Sequence, residues 1–195
     1  MKCLTVVEAN EILRSIGMEI GNWNQITDIA NCEHRKSIWK NYQAPKNSHE
    51  LFYFAEHVAG WLPRGSWKIF QLDNSTSLDA VQAYLFNKLL SGSTYDSDLE
   101  KNKTFLFEFG PDGKSNTEAE LLIFNLIYLM LLFEGHVQVV SSNSSAGQRL
   151  SIQDGFVYFS SRESDISGAE TLLRNFECNP LGIPQWISEI NADSQ

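Results

Sequence analysis

Gly110 to Ser115, GPDGKS, lies between a strand-like run and a helical run, the place where a phosphate-binding loop would sit. Such a loop needs another glycine five residues before Gly113, so that backbone amides can wrap the phosphates. That position is Glu108, whose carboxylate would repel the ligand, and Pro-Asp-Gly is a turn sequence in its own right. The four histidines, His34, His49, His57 and His136, form no HExxH pair. His49 and His57 stand eight apart on one expected helix, about 80° from alignment at 100° per residue, so a shared metal is not expected. The chain has no GxSxG elbow, and the i,i+2 spacing of Cys32 and His34 sends their side chains apart. Asp96, Asp98, Glu100, Glu163 and Asp165 could in principle serve glycosidase or carboxylate-metal chemistry, but acidic loops are ordinarily solvated surface. No catalytic or metal-ligating residue is assigned, no cofactor is expected, and the chain reads as a protein other than an enzyme.

Charge carries more information than any motif. From Met1 to Gly92 nine Lys/Arg balance nine Asp/Glu, whereas Ser93 to Gln195 holds six against fifteen, so the whole net charge of −9 sits in the second half. A surface of that sign attracts basic partners and repels nucleic acid and anionic membrane. Basic patches interleaved with aromatics, which nucleic-acid binding requires, are missing. The five tryptophans read as core anchors.

With 195 residues, 43% of them hydrophobic, the chain has material for one substantial core, and a single domain over 1–195 is expected. Three widely spaced cysteines suggest neither a disulfide framework nor a zinc site. Glu8 and Glu11 interrupt what a signal peptide would need as an apolar stretch, so a cytoplasmic location is expected. Leu121 to Phe133 is apolar at all but Asn125 and Tyr128, yet as a helix it spans roughly 20 Å, short of the ~30 Å hydrocarbon layer. It reads as a buried central helix with Leu126 and Leu129 inside.

Positioning elements follow from periodicity. Residues 1–62 read as a helical segment packed on a mixed-sheet core over 66–195. In that segment Thr5 and Glu8 form a capping box before a helix that Gly17 ends, a short helix is expected around Arg35 to Lys40, and Ser48 opens a helix on Leu51, Phe54, Ala55 and Val58. Strands are expected at Trp67–Asp73, Lys103–Phe109 and His136–Val140. Between them lie a helix on Leu78, Val81, Leu85 and Leu89 and the apolar helix after Ser115. Two strand-helix-strand units favour parallel pairing by right-handed crossovers, giving an α/β fold with a mixed sheet of about five strands, with α+β as the alternative. Helical patterns at Ser167–Phe176 and around Pro184–Ile190 close the chain.

The clearest local signal is RLSIQDGFVYFS, Arg149 to Ser160, where Asp154-Gly155 separates two strand-like runs in the manner of a two-residue type I′ hairpin. Gln153 should pair with Phe156, Ile152 with Val157, Ser151 with Tyr158 and Leu150 with Phe159. Period-two alternation then puts Leu150, Ile152, Val157 and Phe159 on one face, and Phe156 and Tyr158 on the other.

The segment Trp67 to Phe86, WKIFQLDNSTSLDAVQAYLF, resembles immunity proteins of bacterial contact-dependent growth inhibition and related polymorphic toxin systems, over 20 of the 195 residues. The resemblance implies a small cytoplasmic protein that binds one cognate toxin domain, often a nuclease, and blocks it without chemistry of its own. No position in it is a diagnostic motif, so no residue role carries over. Charge points the same way: a nuclease presents Lys/Arg to phosphates, and an acidic inhibitor can occupy that surface. Asp154, Phe156, Tyr158, Glu163, Asp165 and Glu170 form the expected toxin-binding set, unless the following helix covers the two aromatics. The alternatives are an enzyme whose site is assembled only in space and a generic protein-interaction adaptor.

Overall fold

The computed structural model describes residues 1–29, 38–73, 78–91, 103–109, 117–143, 148–161 and 163–178. The GPDGKS loop, Cys32, His34, the carboxylates at 96–100, most of the DNSTS junction and the helix expected near 184–190 lie outside them. In chain order the elements are β1 (Lys2–Leu4), α1 (Val6–Leu13), β2 (Met18–Ile20), β3 (Ile26–Asp28), β4 (Ile38–Gln43), α2 (Ser48–Trp61), β5 (Trp67–Leu72) and α3 (Ala80–Ser91). There follow β6 (Thr104–Glu108), α4 (Thr117–Leu132), β7 (Val137–Ser141), β8 (Arg149–Gln153), β9 (Phe156–Ser161) and α5 (Glu163–Asn175).

Helices and sheet share one structure, as the composition of elements implies, but the strand directions correct the expected parallel centre. The main sheet has seven strands in the order β1-β6-β5-β7-β8-β9-β4, and every neighbouring pair is antiparallel. The crossover logic survives in altered form. Strands β6 and β7 run the same way and are joined through α4, yet β5 lies between them, antiparallel to both. The connection from β5 to β6 is long enough for α3 to run out and the chain to return. It therefore re-enters beside the strand it left, with Gln71 opposite Thr104.

A second correction concerns residues 1–62. Helices α1 and α2 form as expected, α2 opening at Ser48 with Asn47 as its cap and with Leu51, Phe54, Ala55 and Val58 as its buried residues. Between them the chain is largely extended: Ile38–Gln43 is a strand where a short helix was expected, and β2 pairs with β3 in a separate two-stranded sheet. Strands β1 and β4 are the two edges of the main sheet, so this segment is part of the sheet rather than a helical layer upon it. The first three strands are three residues each, too short for a period of two to register.

Both sheet faces are covered, which explains the continuous burial along β5 and β6. On one face Phe70, Phe105, Phe107, Val139, Leu150 and Phe159 pack against α2, α4, α5 and Phe86 of α3. On the other, Ile69, Leu106 and Val140 meet α1 and the β2–β3 pair through Leu13, Met18 and Ile26. Of the four residues expected to face inward around α3, Leu78 and Leu89 pack on the core, but Val81 and Leu85 are exposed, and Phe86 is the fully buried one.

The Thr5–Glu8 capping box forms as expected, and it titrates. The Thr5 N–H donates to the Glu8 carboxylate at 2.8 Å and Lys2 lies 3.0 Å away. These contacts, the backbone bond first, hold the Glu8 carboxyl down to about 2 from an ordinary 4.5. A carboxyl depressed in the folded state adds stability above its ordinary pKa and loses it as pH falls through the folded one. Thermal midpoints of the wild type and Glu8→Gln should therefore differ at pH 7 and converge as pH falls from about 4.5 to about 2. A constant gap across that window would show that the charge on Glu8 contributes nothing.

Candidate functional site

The β8–β9 hairpin is as the residues dictate. Asp154 and Gly155 have φ of 51° and 75°, the two left-handed residues that a type I′ turn demands, and all four expected cross-strand pairs are present. The Gly155 carbonyl accepts from the Ala44 N–H at 3.0 Å, so the end of β4 pins the turn in place.

Around this turn the structure gathers three of the six expected binding residues and adds two. Asp154 is exposed, and its Oδ1 lies 2.7 Å from Nε2 of His136. Phe156 and Tyr158 are half-buried on the face that α5 does not cover, because α5 packs on β9 from the other face, where Val157 and Phe159 share the core with Ile166, Ala169 and Leu173. Burial and, secondarily, the Asp154 carboxylate push the Tyr158 phenol pKa up, so it stays a neutral O–H at physiological pH. Glu134 joins them, its carboxylate reaching the space beside Gly155. It lies two residues past the end of α4, where the Gly135 N–H donates to the Met130 carbonyl and the Glu134 N–H to the Leu131 carbonyl. A Schellman ending like this favours glycine at the left-handed position, which Glu134 occupies with φ of 53°. Holding a non-glycine residue there costs about 1–2 kcal/mol.

The α5 carboxylates stand apart. Glu163 and Asp165 open α5 just after Ser161, at the far end of β9 from the turn, roughly 20 Å away along a six-residue strand. Glu170 is half-buried further along the same helix, on the opposite sheet face from Phe156 and Tyr158. The expected set is thus two groups. Alternation along β9 contains that fact; what the residues did not reveal was which face α5 takes. Glu134 was missed because nothing local links it to a turn twenty residues later.

Elsewhere the chemistry is quiet. Burial raises the Cys3 thiol pKa, and burial with Glu50 raises that of Cys178 to about 11, which makes both poor nucleophiles. Among the described residues no three His, Cys, Asp or Glu side chains converge to hold a metal. Nor is any helix among them long and apolar enough to cross a membrane. Comparison of the chain with protein-family models, with curated proteins and with solved structures finds no match.

Proposed function

We propose that this chain is an immunity protein that binds and neutralises a cognate, basic, nuclease-type bacterial toxin domain in the cytoplasm. The observation that carries the reading is the hairpin surface. Two carboxylates, Glu134 and Asp154, flank a rigid turn beside two aromatics, Phe156 and Tyr158, on a part of the sheet that α5 leaves uncovered. A partner rich in Lys and Arg is complementary to the net charge of −9, and half-buried aromatics on a pinned hairpin are the kind of anchor that slows dissociation. The turn needs no ordering on binding, since its backbone is already fixed by the cross-strand pairs.

The test uses the toxin domain encoded beside this gene. It should bind, lose activity, and associate more slowly as salt rises past the ~8 Å screening length reached at 0.15 M. Asp154→Lys with Glu134→Lys should slow association roughly tenfold and flatten the salt dependence. Phe156→Ala with Tyr158→Ala should instead speed dissociation, by roughly thirtyfold if either side chain is a dominant anchor. Glu11→Lys, exposed and in the charge-neutral half, is the control. Association governed by Glu163→Lys with Asp165→Lys would move the surface to the start of α5. Failure to bind any neighbouring toxin would end the immunity reading itself.

A further inference from the structure

A groove lies at the other end of α4. Helices α2 and α4 leave a groove of about 450 Å³ over the start of β5, and Lys68 projects into it. That volume falls within the roughly 300–1,000 Å³ typical of small-molecule pockets. Lys68 alternates with Ile69, so it points to the same side as Phe70 and Leu72, toward the helical layer, and only 8% of it is exposed. Its ammonium lies 5.8 Å from the centre of the Phe109 ring. Among the described residues nothing accepts a hydrogen bond from it, and no carboxylate comes within ion-pair distance. Burial lowers its pKa, and the more distant Glu120 offsets only part of that. An ammonium taken out of water without an acceptor is the costly half of an ion pair.

The other half has a defined shape. Phe52, Leu121 and Phe124 give the groove an apolar wall, and Phe52 and Phe124 meet edge to face at 5.0 Å. Phe52 and Leu121 are exposed large hydrophobic residues that an apolar chain would cover. Arg64 adds a second positive charge to the lining, whereas Glu56 and Glu120 place negative charge there too, which disfavours ligands with several negative charges. We propose that the α2–α4 groove binds a small monocarboxylate with an apolar tail, its carboxylate on Lys68 and its tail along Phe52, Leu121 and Phe124. This site is independent of the hairpin surface and of the toxin reading.

Titration of the purified full chain with sodium octanoate, below its micellar range, tests this by calorimetry, with octan-1-ol and inorganic phosphate as comparison probes. Octanoate should bind with one-to-one stoichiometry, and both comparison probes should bind roughly tenfold more weakly or worse, since each lacks one half of the interaction. Lys68→Met, which removes the buried charge while filling similar space, should reduce octanoate to the level of the alcohol. Gly60→Leu is the second variant: a Cβ at Gly60, which lines the groove, meets nothing within 4 Å, so the leucine enters open space at a helical position and should block binding with Lys68 intact. No saturable binding, many weak equivalent sites, or octanoate affinity unchanged in both variants would overturn the proposal. A result from Gly60→Leu alone decides it if Lys68→Met fails to fold.

Discussion

Arg149→Ala should lower the unfolding free energy by about 1–3 kcal/mol, the usual cost of leaving a buried hydrogen-bonding group unsatisfied, with the lost side-chain packing added to it. Arg149 begins β8 with 4% exposure, and its Nη1 donates to the Ile26 carbonyl of β3. Burial pushes the guanidinium down to about 10, with Asp28 opposing the shift, so it remains a cation at neutral pH. The contact is one of several polar links that fasten the β2–β3 pair to the main sheet. Gln138 on β7 accepts from the Ile26 N–H, Asn24 donates to the Leu72 carbonyl at 3.1 Å, and Gln25 donates to Asp73 at 2.6 Å. Alanine at 149 would leave the carbonyl of the buried Ile26 without this donor. Arg149→Met should cost less, because the methionine fills volume that alanine leaves empty. Denaturant midpoints at constant slope would measure both, and equal losses for alanine and methionine would show that the lost cation and its hydrogen bond, rather than packing, fasten β3.

How much of this was legible depends on how local each signal is. The Thr5–Glu8 cap, the four buried positions of α2 and the Asp154-Gly155 hairpin with its register all follow from residues within one turn or one strand pair, and all three appear. Strand direction is not a local property. The strand-helix-strand order at 67–140 suits a parallel pair, and only the 31-residue excursion between Leu72 and Thr104 lets β5 enter between two strands that point the same way. The edge strands β1 and β4 were hidden for a related reason: their pairing partners, β6 and β9, lie roughly a hundred residues away. At the site, alternation along β9 placed Phe156 and Tyr158 on one face, but the face taken by α5 also depends on α2 and β4, distant in sequence, against which it packs. Lys68 drew no notice because a lysine in WKIFQLD reads as an ordinary polar position. Its burial comes from helices that close over the strand end from two distant parts of the chain.

Helix α4 supplies the sharpest contrast between two chemically identical changes. Leu126→Ala should cost about 2–5 kcal/mol, because Leu126 is wholly buried beneath the sheet and against α2, where a cavity cannot collapse. Leu129, three residues on and equally apolar in sequence, is only partly buried, so Leu129→Ala should cost less, about 1 kcal/mol. A uniformly buried helix would give equal losses, but α4 has a solvent side despite its composition, with Leu121 at 57% exposure and Leu132 at 43%. The distinction bears on both proposed sites, since Thr117 and Glu120 at the start of α4 line the Lys68 groove while Glu134 just beyond its end stands against the hairpin. The helix spans roughly 24 Å over its sixteen residues, which puts the two sites too far apart for either test to disturb the other by contact. Leu126→Ala, by loosening the helix between them, should weaken octanoate and toxin binding together. Phe156→Ala and Gly60→Leu should each affect one alone. Loss of both ligands in either surface variant would mean that α4 shifts as a unit when one end is changed.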